Sequence, residues 1–576
     1  MAFTISTPFG NAVRYRFLDV YVLAGGDRVE CHRLVPVIGR ADQDRIDLAV
    51  YLLGCITFTR RAAAPADRKE IPMLAFGLVL LVSAATGCES LTALSTPQMT
   101  VLGADVVPAG IFTPPPPPPG APPAATGTSG RGGAPTAAPP PPKPIPQHCR
   151  VRLSLKPSAD SNIYSELWLP TDTWNGKLLV VGNGGFAGSI QGYGDMQIAL
   201  RLGYATAATD TGHNAADGPN GMFALGHPEK IVDFAYRALH ETTVESKRLI
   251  KALYSRNVQT SYYKGCSTGG RMGIMAATRF PDDYDGIIAG ALANRHIHMH
   301  TAGFARQVVL ARNPDMAISP ETATFVSDAV MAKCDTLHEG FLNNPKQCTF
   351  DFATLACKGA ETNQCLTPAQ LKTVDMFYGG LKNSKGELIF AGQTLGNPLT
   401  PQRSNKEINV IDTVRIWAFQ DPNYDWHTFD LDRDMPIIDR KIGFVDATDP
   451  DLRKFKAHGG KLLLYAGWAD TGITPINTVE YYESVVKKMG RNETKDFAKL
   501  FMVPGMGHCR GGDGPDSFDA IGTMENWREK GETPMTIAAK NERTGLSRPL
   551  CAYPQYAKYS GAGDWKDGAN WSCVAP

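Results

Sequence analysis

Lys264-Gly265-Cys266-Ser267-Thr268-Gly269-Gly270 follows the strand-like Ser261-Tyr262-Tyr263 and precedes a helix-like run from Met272 to Arg279. A serine at a tight turn from strand into helix is a nucleophile elbow. Its flanks must be small, and the hydroxyl is pushed up where a base and a substrate can reach it. Gly265 and Gly269 meet that demand. In a chain with 57 glycines a bare G-x-S-x-G is also compatible with an ordinary turn, so partners downstream decide the reading.

Lys461-Leu462-Leu463-Leu464-Tyr465-Ala466 reads as a buried strand, with Gly467-Trp468-Ala469-Asp470 as the loop at its C-terminal end. A second apolar run, Leu500-Phe501-Met502-Val503, leads into Pro504-Gly505-Met506-Gly507-His508-Cys509. The order Ser267, Asp470, His508 is the chain order of an α/β-hydrolase. A serine hydroxyl needs a neutral imidazole to take its proton, and a carboxylate to fix the imidazole's tautomer and stabilise the imidazolium. The oxyanion needs backbone N–H donors. Thr268, just after the serine, is one candidate. Gly185, in Gly182-Asn183-Gly184-Gly185-Phe186 after the strand-like Leu178-Leu179-Val180-Val181, is the other. Asp446, Asp449 and Asp451 precede the strand and read as lid-junction or surface charges.

Strand-like runs at Glu166–Leu169, Lys177–Val181, Tyr204–Ala208, Ser261–Tyr263 and Gly286–Ala289 alternate with helical ones, the rhythm of a mostly parallel sheet. After Ala291 no comparable core strand recurs until Lys461, too long a gap for a loop. The expected organisation is an α/β-hydrolase catalytic domain of residues 149–291 and 456–576, split by a lid domain of residues 292–455. Trp417, Phe419, Tyr424 and Trp426 read as the lid's own core. Arg295-His296-Ile297-His298-Met299-His300 has no acidic or thiolate neighbours and reads as a surface or hinge segment.

Cys266 directly precedes the serine and Cys509 directly follows the histidine. This Cys-Ser, Asp, His-Cys arrangement resembles the tannase and feruloyl esterase family, and the resemblance runs from about Cys88 to the C-terminus. It passes through Trp174-Asn175-Gly176-Lys177, Ala208-Thr209-Asp210-Thr211-Gly212-His213, Arg279-Phe280-Pro281-Asp282-Asp283-Tyr284-Asp285-Gly286 and Asp421-Pro422-Asn423-Tyr424-Asp425-Trp426. The resemblance implies a serine esterase acting on small aromatic acid esters (feruloyl, galloyl or related), with no redox cofactor. It implies disulfides Cys88–Cys149, Cys266–Cys509, Cys334–Cys348, Cys357–Cys365 and Cys551–Cys573. Many family members hold structural calcium in a cysteine-closed lid loop. Here that loop, Cys334 to Cys348, is short and offers Asp335 and Glu339, whereas calcium takes 6–8 oxygens, so the expectation leans against calcium. Terephthalate-monoester hydrolases form a branch of the family and carry a lid Arg followed four and five residues later by Phe and Ser. Arg403 and Arg415 stand in that region without the run. A binding protein that kept the aromatic pocket and lost turnover is the rival from another class.

With 43% hydrophobic residues and a net charge of +1 the chain has no charge bias towards nucleic acid. Of its 12 cysteines, setting aside Cys31 and Cys55 leaves ten, with short spacings that look like local staples and no tight CxxC pair for a metal. Arg68 and Lys69 precede the apolar Met73–Val82, too short to span a bilayer comfortably, so residues 73–87 read as a signal peptide for export to the periplasm or beyond. A lipid anchor at Cys88, making an outer-membrane lipoprotein, is the alternative reading of Ala85-Thr86-Gly87-Cys88. Residues 1–72 fit no part of the family pattern and read as an over-extended start. Residues 88–148 form an N-terminal segment whose proline runs, Pro114–Pro119 and Pro139–Pro142, favour polyproline II or disorder over a core.

Overall fold

The structure is a computed structural model and describes residues 2–6, 12–24, 27–36, 87–115, 142–405 and 408–576. The signal-peptide stretch and most of the proline-rich segment lie outside them. The chain divides into two units, residues 1–82 and 83–576. In the first, β1 (Ala2–Ser6), β2 (Ala12–Ala24) and β3 (Asp27–Pro36) pair antiparallel in that order.

The second unit is built on one sheet. Along the chain come β4 (Met99–Val107), β5 (His148–Leu155), β6 (Ile163–Pro170), β7 (Lys177–Val181), β8 (Ala205–Thr209), β9 (Thr260–Cys266) and β10 (Gly286–Gly290). The next stretch adds only the short pair β11 (Leu381–Lys382) and β12 (Leu388–Phe390). Then β13 (Lys461–Gly467) and β14 (Ala498–Val503) complete the sheet. The nine strands lie in the order β14-β13-β10-β9-β7-β8-β6-β5-β4. Neighbours from β14 to β8 run parallel, and β6, β5 and β4 continue antiparallel. Strands covered on both faces read as near-continuous apolar runs, and every residue of β8, β10 and β14 is buried, Thr206, Thr209 and Lys499 among them. The segment set apart in the sequence as N-terminal thus supplies the sheet's edge, because β4 pairs with β5 across the proline-rich stretch. Cys88–Cys149 ties the base of that stretch, with its Cα atoms 5.6 Å apart.

Between β10 and β13 the chain is largely helical, with helices His296–Arg312, Pro320–Cys334, Pro368–Tyr378 and Leu431–Ile442. Trp417 and Trp426 do enter an apolar cluster there, but the cluster also takes in Phe223, Phe234 and Ala235 from before β9. The inserted segment therefore shares a core with the hydrolase scaffold. Beyond β14, strands β15 (Ser517–Phe518), β16 (Thr536–Lys540) and β17 (Ser547–Cys551) form a small antiparallel sheet, and β18 (Tyr556–Tyr559) pairs with β19 (Trp571–Val574).

Candidate active site

Strand β9 ends at Cys266, and the helix Thr268–Arg279 begins one residue after Ser267. Ser267 has φ 64° and ψ −125°, a conformation that costs a non-glycine residue roughly 1–3 kcal/mol and persists only where the surroundings enforce it. Here Ser267 N–H donates to the Gly290 carbonyl, and its own carbonyl accepts from Arg271 and Ala293. The flanking glycines are obligatory. A Cβ on Gly265 would lie 2.6 Å from the Gly269 carbonyl oxygen, and one on Gly269 would lie 2.9 Å from that of Asn183. One turn further on, fully buried Arg271 donates to the carbonyls of Phe234, Ala235 and Val445, and burial lowers its guanidinium to about 10.

Asp470 and His508 leave the C-terminal ends of neighbouring strands β13 and β14. Nδ1 of His508 lies 2.8 Å from Oδ2 of Asp470, and Asp470 is buried. A carboxylate only accepts, so this contact puts the ring proton on Nδ1 and leaves Nε2 its lone pair. The other oxygen, Oδ1, accepts from the N–H groups of Gly472 and Ile473 at 2.8 and 2.9 Å. The two loops are also tied by backbone, since Ala469 N–H donates to the Met506 carbonyl. The inserted segment grips the loop after β13 as well. Asn397 donates to the Asp470 carbonyl and Thr394 to that of Trp468.

Cys266 and Cys509 are bonded, with Cα atoms 6.0 Å apart. Ser267 and His508, each one residue along, therefore sit on adjoining loops. The other four pairs implied by the resemblance also form. Thr268 Oγ1 donates to the Gly185 carbonyl at 2.8 Å, which joins the two oxyanion candidates directly. Gly185 has φ +57° and nothing within 4 Å of where its Cβ would be, so the loop leaves open space there. Phe186, the next residue, meets Trp417, His296 and His300 at ring-centroid distances of 5.5, 6.0 and 5.4 Å.

Of the surface and hinge readings of the histidine-rich segment, the surface one does not hold. His296 is 1% exposed and caught between Phe186, Phe234 and Trp417, and burial drives it well below its ordinary pKa. Alternation of histidine with apolar residues gave no warning, because the inserted segment folds over this helix from far along the chain. His298 and His300 are half-buried, and His298 Nδ1 lies 2.7 Å from Asp446. Asp446 also accepts from the Ile297 N–H, and Asp451 pairs with Arg453, so neither reaches His508.

The calcium donors are committed elsewhere. Both Asp335 oxygens accept backbone N–H groups, from Glu339 and Gly340 at 3.0 and 2.8 Å. Glu339 is paired with the guanidinium of Arg548, and the side chains of both are almost fully buried. The residues of this loop do not fit a calcium ion, which would need six or more free oxygens. No group of three or more His, Cys, Asp or Glu side chains among the described residues gathers to hold a metal. Arg415 is followed four residues later by Phe419 but then by Gln420, and it is engaged by Asp412 and the Pro422 carbonyl. A cavity of about 560 Å³ lies around Ile318, Thr367 and Gln402, and none of Ser267, Asp470 or His508 lines it.

The pattern described as "Tannase and feruloyl esterase" matches residues 149–574. This chain belongs to the tannase and feruloyl esterase family. It is 34% identical over 557 residues to an uncharacterized esterase of Xanthomonas campestris pv. campestris, covering 86% of this chain and 92% of the relative. To a protein of Aspergillus terreus named probable feruloyl esterase B-2 it is 32% identical, over 74% and 86% of the two chains. The crystal structure of feruloyl esterase B from Aspergillus oryzae superposes with a TM-score of 0.74 at 29% identity, over 84% of this chain and 99% of that one. Tannin acyl hydrolase from Aspergillus niger shares the fold, with a TM-score of 0.64 at 23% identity, over 83% of this chain and 92% of that one. The fold is an α/β-hydrolase with a large insertion, and the chain is a carboxylic ester hydrolase of this family.

Proposed function

We propose that the protein cleaves esters of aromatic acids through an acyl-enzyme on Ser267. His508 takes the serine proton as Ser267 attacks the ester carbonyl, then gives it to the departing alcohol. Water, activated by the same imidazole, releases the acid. Asp470 orients the ring and stabilises the imidazolium. The N–H groups of Thr268 and Gly185 stabilise the oxyanion. The observation that carries this reading is the 2.8 Å contact between His508 and Asp470 on a loop bonded to the Ser267 elbow.

The aromatic acyl group is supported by relatives named feruloyl esterase, and the half-buried Phe186 ring stands next to Gly185. A terephthalate monoester is a weaker candidate, because Arg415 is already engaged. Export is supported by five disulfides, which form in oxidising compartments. Use of the Cys88 sulfur in one of them favours a cleaved signal peptide over a lipid anchor. No helix among the described residues is long and apolar enough to cross a membrane.

The test is turnover of methyl ferulate, methyl gallate, a terephthalate monoester and a short-chain chromogenic ester, with mass spectrometry of enzyme trapped by a phosphonate. Adduct on Ser267 and highest kcat/KM on ferulate or gallate are expected. Absence of turnover on all four, with aromatic acid still bound, would point to the binding-protein alternative.

A further inference from the structure

We propose that Arg548 is a positioning residue for His508: anchored in the Cys334–Cys348 loop, it holds Phe341 against Gly505 and so fixes the loop that carries the histidine. The proposal rests on the reading of His508 as the base.

Arg548 stands on β17, 40 residues past His508 in sequence, and its side chain is fully buried. The guanidinium meets both Glu339 oxygens, and Nη1 donates to Asn343 Oδ1 at 3.1 Å. Its carbon sits 3.6 Å from the centroid of Trp571 and 5.6 Å from that of Phe341. Asn343 in turn donates to the Ala557 carbonyl at 2.6 Å, so the loop is pinned to β17 and β18 together. Phe341 is the point of contact with the site. A Cβ on Gly505 would lie 2.6 Å from Phe341 Cγ, which means the ring rests directly on the Gly505 backbone, three residues before His508. Met506 follows, and its carbonyl receives the Ala469 N–H beside Asp470.

Burial raises the Glu339 carboxyl and lowers the Arg548 guanidinium, and their mutual attraction offsets this only in part. Buried ion pairs are commonly no more stable than apolar residues of the same volume, and direction is what they supply. A planar fork gripping a carboxylate and an amide, stacked on an indole, has one orientation. That orientation sets where Phe341 presses. Because the cation is a side chain, the loop does not depend on a metal.

The experiment uses the full chain and a chromogenic short-chain aryl ester, comparing wild type with Arg548→Met and Phe341→Ala at equal folded fraction. Each variant is expected to lose about tenfold in kcat, well within the ~10²-fold that 1 Å of misplacement can cost, with KM within about twofold. The acid limb of the kcat/KM profile should move to lower pH, because an imidazole less well held by Asp470 is less stable as the cation. Excess chelator should change neither kcat nor the melting midpoint of the wild type. A purely structural role would lower the midpoint and leave kcat per folded site and the acid limb in place, and that result overturns the proposal. So does a loss of kcat on chelation, which would mean that a metal holds the loop. If Arg548→Met does not fold, Phe341→Ala by itself decides between the two roles. Ser267→Ala and His508→Ala run beside them. Activity in either refutes the reading of the site, whereas their inactivity with an unchanged Phe341→Ala refutes the positioning role alone.

Discussion

The conformation of Ser267 is held by its own backbone hydrogen bonds to Gly290, Arg271 and Ala293, not by its hydroxyl. Removing only the hydroxyl oxygen therefore leaves the turn in place. Ser267→Ala should melt with the wild type and retain no more than the ~10³–10⁴-fold acceleration over water that binding and the oxyanion donors provide. Near-wild-type turnover by the purified variant would end the assignment. Asp470→Asn should fold and lose about 10⁴-fold in kcat, because an amide facing Nδ1 favours the wrong tautomer. Asp451→Asn is the control, since Asp451 pairs with Arg453 at the far end of β13 and should stay within about twofold. Greater damage at Asp451 would mean that the acid has been misplaced.

Two elements, β9 with its elbow and the loop after β14, are separated by 243 residues in sequence and joined by Cys266–Cys509. Chain-entropy estimates give a link over so long a loop about 5 kcal/mol, although measured values often fall short. Its larger effect should be on geometry. Replacing both cysteines by serine should reduce kcat per folded molecule more than replacing Cys357 and Cys365, which close a short loop within the inserted segment. Non-reducing peptide maps of fully active enzyme check the bond itself, and a free Cys266 thiol there would rule it out.

Across the whole molecule, stability should peak near pH ~6.5–7 and fall with acid. Burial holds His213 at about 3 and His300 at about 4, and drives His296 well below its ordinary value. These histidines stay neutral in the fold and take protons once unfolded, so stability falls as pH drops below the unfolded value near ~6.5. Each fully buried ring contributes up to about 1.4 kcal/mol per pH unit. His240 has the opposite sign: burial acts to lower it, but neighbouring Asp283 raises it overall. Its contribution is complete below ~6.5 and fades as pH rises through the folded value. Calorimetry from pH 5 to 8 should show the midpoint falling from 6.5 to 5, with a shallower slope in His296→Gln. A flat wild-type profile over that interval would contradict the buried neutral histidines.

The sequence by itself determined the strand–turn–helix around Ser267, the loops that carry Asp470 and His508, the order of the three residues and the parallel core strands. Each is written in a contiguous run of apolar or small residues, and the runs decide one another's meaning by their order along the chain. The insertion was legible as a gap between strands. What only the tertiary structure decided is whatever depends on partners far apart in the chain. β4 joins the sheet through β5 across the proline-rich stretch. His296 is buried because Trp417 and Phe186 close over it. Glu339 is paired with Arg548, 209 residues later. Local pattern fixes which face of an element is apolar, but which side chain fills the space opposite follows from packing.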